Sequence, residues 1–175
     1  MARRCPKVLN LSAAVLLLAA TACERALPTE SRGSPGAASR DAAPSVPFRL
    51  VLTGNADPKF LDQCKATNAE SGTGVAEHLG NVTWSSSEVV NFCAEGGPSV
   101  AGTIVITAAN GDQLTESYST TLTIDGTTLT ATGPYRVTGG TGRFSDATGS
   151  GTIDVTGSLL PPFGVSGTYT GTIAY

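Results

Sequence analysis

Gln113-Leu114-Thr115-Glu116-Ser117-Tyr118-Ser119-Thr120-Thr121-Leu122-Thr123-Ile124, then Asp125-Gly126, then Thr128-Leu129-Thr130-Ala131-Thr132-Gly133-Pro134-Tyr135-Arg136-Val137, is the stretch that decides the fold. In the first run Leu114, Tyr118, Leu122 and Ile124 share one face, and Thr115, Ser117, Ser119, Thr121 and Thr123 share the other. The second run repeats the pattern, with Leu129, Ala131, Tyr135 and Val137 opposed to Thr128, Thr130 and Thr132. A period of two is that of a half-buried β-strand. Asp125-Gly126 between the runs tolerates positive φ and suits a tight hairpin. The spacing therefore predicts two antiparallel strands with Leu114, Tyr118, Leu122, Leu129 and Tyr135 turned inward and the threonines turned to water.

The same chemistry extends outward. The chain has 24 threonines and 21 glycines. β-Branched threonine favours a pleated surface, and repeated glycine breaks helices and supplies turns. Asn110-Gly111-Asp112 marks a second hairpin, and a bulge there would reverse every side chain beyond it. Eight strands are expected, near Phe48–Gly54, Thr73–Trp84, Glu88–Cys93, Ser99–Ala108, Gln113–Ile124, Thr128–Thr138, Gly151–Leu159 and Val165–Ala174. The charged, alanine-containing Asp57–Asn68 segment suggests a short helix. Short antiparallel strands joined by tight turns predict an all-β domain, an eight-stranded antiparallel barrel that leaves no exposed edge, with a β-sandwich as the alternative.

What precedes this domain reads differently. Arg3, Arg4 and Lys7 open the chain, Leu9–Ala20 is apolar, and Ala20-Thr21-Ala22 places small residues before Cys23. That order is a signal segment, residues 1–22, with a cleavage site. The apolar run has only about a dozen residues, short of the ~20 that span a bilayer. Cysteine at the cut resembles a bacterial lipoprotein signal, so Cys23 is expected to carry lipid and hold the protein to a membrane in the bacterial cell envelope. Ordinary cleavage and secretion is the competing reading. Residues 23–47 include Pro28, Pro35, Pro44 and Pro47 with alanines, serines and mixed charges, and read as a flexible tether. Residues 48–175 form the barrel domain. Cys64 and Cys93 are an even pair in an exported domain, and a disulfide between them is expected.

Charge narrows the function classes. Residues 48–175 carry five basic and eleven acidic side chains, a net charge of −6. No basic stripe exists to neutralise phosphates, so no nucleic-acid partner is expected. Neither a cofactor nor a metal is implied, because there is one histidine and no C-x-x-C spacing. An outer-membrane barrel is disfavoured, since aromatics make up 6% of the chain, too few for two interfacial girdles.

Gly139-Gly140-Thr141-Gly142-Arg143-Phe144, followed by Asp146-Ala147-Thr148-Gly149-Ser150-Gly151-Thr152, resembles a turn of the allene oxide cyclase and dirigent-type β-barrel superfamily, and more closely an uncharacterised bacterial secreted branch of it. His78-Leu79-Gly80, Ala109-Asn110-Gly111-Asp112 and Gly171-Thr172-Ile173-Ala174-Tyr175 add shorter matches over Gly72–Tyr175. The resemblance implies an eight-stranded barrel with a central cavity, and carries no active-site residue onto this chain. Read from its residues, the motif is a sharp turn with Phe144 tucked beneath it as an apolar plug. It lacks the Gly-Lys-Ser/Thr ending of a phosphate cradle.

Candidate chemistry rests on few residues. Glu77 is expected to share a face with Val75 and Leu79, and Glu116 one with Leu114 and Tyr118. If those faces line the interior, Glu116, Tyr118, Glu77 and Tyr135 are the binding candidates, with perturbed carboxylates among apolar groups. The alternative places both carboxylates near strand ends in water. The expected function is noncatalytic: binding of a small apolar or aromatic ligand in the barrel, or a structural role in the envelope. The rival of a different class is a cofactor-free isomerase or cyclase-like enzyme using Glu116, Glu77 or Tyr118.

Overall fold

The structure, a computed structural model, describes residues 43–175. The leader, Cys23 and the tether as far as residue 42 lie outside the described residues. Eight strands follow one another: β1 (Val46–Phe60), β2 (Lys65–Ala76), β3 (Gly80–Asn91), β4 (Ser99–Ala108), β5 (Gln113–Asp125), β6 (Thr128–Gly140), β7 (Thr148–Ser158) and β8 (Gly164–Ala174). Each pairs antiparallel with the next, and β1 pairs with β8 from Val46↔Ile173 to Asn55↔Gly164. The sheet is a closed barrel and leaves no strand edge unpaired. The sandwich alternative is thereby excluded.

The up-and-down order gives the barrel two unlike ends. One end collects the β2–β3, β4–β5 and β6–β7 connections together with the start of β1 and the finish of β8. The other end, the mouth, collects the β1–β2, β3–β4, β5–β6 and β7–β8 connections. Large side chains fill the first end: Phe48, Leu50, Ile104, Ile106, Leu114, Phe144 and Ile173 are all essentially without solvent contact. Each such side chain stabilises the fold by ~1.5–3 kcal/mol relative to exposure. Gly142–Phe144 forms a single 3-10 turn, and Phe144 plugs the barrel from below, its ring 4.9 Å from that of Tyr175. Arg143 lies over Phe144 at 4.7 Å and donates to the His78 carbonyl. The glycine-rich motif is thus a closure device.

The β5–β6 hairpin has the expected register. Leu114, Leu122, Ala131, Tyr135 and Val137 are buried and Tyr118 and Leu129 half-buried, while Thr121, Thr123, Thr128, Thr130 and Thr132 are exposed. A bulge does occur, between Thr115 and Glu116, but its extra residue lies on β6. The alternation of β5 therefore continues unbroken through Leu114, Glu116, Tyr118, Thr120 and Leu122. Ile124 departs from expectation. It is 44% exposed, because β5 runs past the packed interior to the mouth.

Two expectations near the N-terminal strands are corrected. Asp57–Asn68 is not helical: it comprises the end of β1, the connection Leu61–Cys64 and the start of β2. Thr73–Trp84 is not one strand either. It breaks at Glu77–Leu79, where His78 adopts φ 67° and the Glu77 amide donates to the Arg49 carbonyl at 2.9 Å. Glu77 consequently sits exposed in a turn at the plugged end. Val75 points outward while Leu79 is buried, so the three do not share a face.

Candidate functional site

The mouth half of the barrel is not filled. It holds a cavity of about 390 Å3, within the ~300–1,000 Å3 of small-molecule sites. Strands β1 and β2 contribute Ala56, Pro58 and Ala66 to its wall, where larger residues would fill the space. Val90, Val100, Leu122, Leu129, Ala131 and Val155 complete an apolar lining, and Phe60, Phe92, Leu159 and Phe163 stand toward the mouth. Cys64 and Cys93 are joined, with Cα atoms 5.1 Å apart, so the β1–β2 and β3–β4 connections are tied together at the rim. Phe60 and Phe92 stack beside this bridge with ring centroids 6.2 Å apart.

At its inner end the cavity becomes polar. Asn68 and Glu70 come from β2, Glu88 from β3, Tyr118 and Thr120 from β5 and Tyr169 from β8. The Tyr118 hydroxyl donates to Glu88 Oε2 at 2.6 Å. Asn68 Nδ2 donates to Glu88 Oε1 at 2.7 Å and to Glu70 Oε1 at 2.9 Å, bridging the two carboxylates. Ser86 Oγ donates to Glu70 Oε2 at 3.3 Å.

The contact between Tyr118 and Glu88 spans a whole strand, and glycine makes it possible. Gly102 on β4 lies between them in the register, opposite Glu88 on one side and Tyr118 on the other. A Cβ at Gly102 would stand 2.6 Å from Glu88 Cβ. Without one, the phenol reaches over β4 to the carboxylate.

Burial dominates the electrostatics. Loss of hydration, reinforced by the charge of Glu88, pushes Glu70 up to about 7. The same two causes and the hydrogen bond to Glu88 hold the Tyr118 phenol well above its usual range, so it acts as a donor. Tyr169 is also raised by burial, then by the nearby Glu116, Glu70 and Glu88. A proton on Glu70 is therefore exchangeable near neutrality, at the wall of an apolar chamber. That is chemistry suited to recognising a polar group or to moving a proton.

Glu116 lies one inward position beyond Tyr118, toward the plugged end. It is 0% exposed, neither carboxyl oxygen has a partner, and burial alone pushes it up to about 8. The Tyr135 ring crosses β7 toward β8, where a Cβ at Gly151 would stand 2.6 Å from its Cε1. Its hydroxyl is buried without a partner, and its ring centroid is 5.6 Å from that of Tyr169. Of the four residues expected to bind, Tyr118 lines the cavity, Glu116 and Tyr135 lie in the packed core, and Glu77 is at the far end on the surface.

Three members of the polar group, Asn68, Glu70 and Glu88, escape the sequence reading. Asn68 and Glu70 have Ala66, Gly72 and Gly74 as inner-face neighbours on β2 rather than bulky apolar residues, so the usual alternation is absent there, whereas Glu88 follows Val82, Trp84 and Ser86 on the inner face of β3. The available signal is the reverse one: small and polar residues every second position, opposed by Thr67, Ala69, Ser71 and Thr73. A larger groove of about 690 Å3 runs on the outside of β1–β4 among Val51, Thr53, Val75 and Thr83, with no ionisable side chain lining it. Among the described residues no three His, Cys, Asp or Glu side chains are grouped to hold a metal ion.

No protein-family model matches the chain, and no curated protein matches it. Among solved structures the chain is similar to the pterocarpan synthase dirigent protein GePTS1, with a TM-score of 0.49 and 9% identity over 77% of this chain and 87% of that one.

Proposed function

We propose that this is an exported, lipid-anchored barrel of the bacterial cell envelope that binds a small apolar or aromatic molecule in its mouth cavity. The observation that carries the reading is the cavity itself: about 390 Å3, lined by aliphatic and aromatic groups around one small polar cluster. Sites with that division of labour bury a ligand's body and orient it by a few polar contacts. The leader and Cys23 support export and anchoring, and the Gly139–Phe144 motif supports placing the chain with secreted bacterial members of the allene oxide cyclase and dirigent-type superfamily.

The test is titration of the mature protein with a neutral naphthalene-class fluorophore. Saturable binding at one site per chain is expected. Ala66→Leu with Ala131→Leu adds side-chain volume inside the cavity and should abolish it. Absence of binding, or equal binding by the filled variant, refutes the proposal.

A second reading, a cofactor-free isomerase or cyclase, has one observation in its favour. Glu70, raised to about 7, stands in the same cavity as a hydrogen-bonded phenol. Recovery of the bound molecule chemically changed would favour it over passive binding.

A further inference from the structure

The cavity has an excess of acceptors. Three carboxyl groups, Glu70, Glu88 and Glu116, face the interior of the barrel. Arg49, Lys59, Lys65, Arg136 and Arg143, the basic residues between 43 and 175, are all exposed. No cation inside balances the acids. The donors already bonded to Glu70 and Glu88 have no hydrogen left to give. Both Nδ2 hydrogens of Asn68 are used, one on each carboxylate, and Tyr118 and Ser86 have each given their single hydrogen. Asn68 Oδ1 remains buried with no donor, and the fully buried Glu116 beneath has neither oxygen paired.

A buried acceptor lacking a donor costs ~1–3 kcal/mol. A buried carboxylate lacking a counter-charge costs more. The missing counter-charge at Glu70 and Glu88, which line the cavity, is supplied by one kind of arriving group: a nitrogen that carries several hydrogens and a positive charge. The aromatic lining, with Phe92, Phe163, Tyr118 and Tyr169, also favours a cation. We propose, on the reading that the cavity binds a small apolar molecule, that this molecule bears a protonated nitrogen held by Glu88 and Glu70. An apolar amine or amidine is the ligand class that fits.

The pH dependence follows from the groups facing Glu70, which are Glu88 on β3, Tyr118 on β5 and Tyr169 on β8; none is a cation. Free Glu70 holds its proton until about pH 7. A bound cation favours the carboxylate, so binding below that pH releases a proton, and affinity rises with pH up to about 7.

Three probes of one shape test the inference: naphthylmethylamine, naphthylmethanol and naphthoic acid, each titrated calorimetrically into the mature protein near pH 8. The amine should bind about tenfold or more tighter than the alcohol, and the acid most weakly. Glu88→Gln should narrow the ratio of amine to alcohol. The unmodified protein gives a second readout that needs no variant: the same ratio should grow as pH is raised from about 5.5 to 8. Equal binding of amine and alcohol, a preference for the acid, or a ratio independent of pH overturns the charge assignment and leaves the cavity reading standing. Failure of all three probes to bind removes both.

Discussion

Glu116→Gln is the substitution with the sharpest expected signature. The Glu116 carboxyl is 0% exposed and has no hydrogen-bond partner, and burial raises it from the ordinary 4.5 to about 8. In the folded chain it therefore keeps its proton across the interval in which the unfolded chain loses it. The native state binds more protons than the unfolded state between those values, so stability falls as pH rises. The contribution is intact below pH 4.5, declines by ~1.4 kcal/mol per pH unit, and levels off above about 8, a total of about 5 kcal/mol. That is comparable with the whole stability of many domains, ~5–15 kcal/mol. Glutamine has the same shape and does not titrate. Any constant difference from its amide hydrogens cancels when one pH is compared with another. Urea denaturation of both proteins, with the disulfide intact, should give stabilities that diverge in favour of Glu116→Gln by about 5 kcal/mol between pH 4.5 and 8.5. Parallel curves would refute the reasoning, since they would mean that Glu116 has a partner or water in solution.

Two further outcomes are expected. Cys64→Ser with Cys93→Ser opens a 29-residue loop and should lower stability by roughly 3–4 kcal/mol in urea; a loss well under 1 kcal/mol would show that the bridge does not constrain the unfolded chain. Mass spectrometry of protein isolated from membranes should find diacylglycerol on Cys23, and Cys23→Ala should move the protein to the soluble fraction; a bare Cys23 at the mature N-terminus defeats the anchoring proposal.

The part of the fold that was legible in the sequence is the part that is packed. Strands β5 and β6 place Leu114, Tyr135 and Val137 against a solid interior, and bulk at every second position is what periodicity detects. Strands β1 and β2 surround empty space near the mouth, so Ala56, Pro58, Ala66 and Asn68 occupy their inward positions. Alanine with charged neighbours looks helical by composition, hence the mistaken helix at Asp57–Asn68. The turn at Glu77–Leu79 was hidden because only one glycine, Gly80, marks it, and the positive φ of His78 beside it leaves no glycine in the sequence. That missed turn carried Glu77 to the wrong end of the barrel. The site was half legible for the same reason. Tyr118 announced itself as an aromatic in a strand, whereas Glu88 acquires its meaning from lying two strands and one glycine away from it, and Glu70 from lying one strand further on.

The pairing of Val46 with Ile173 puts both ends of the described chain beside Phe144, at the plugged end. The barrel is thus a cup whose handle is fixed to its base. Whatever holds the protein through its N-terminus holds it by that base. The rim, with Phe60 70% exposed and the Cys64–Cys93 clasp, stands at the opposite end of the barrel from that attachment.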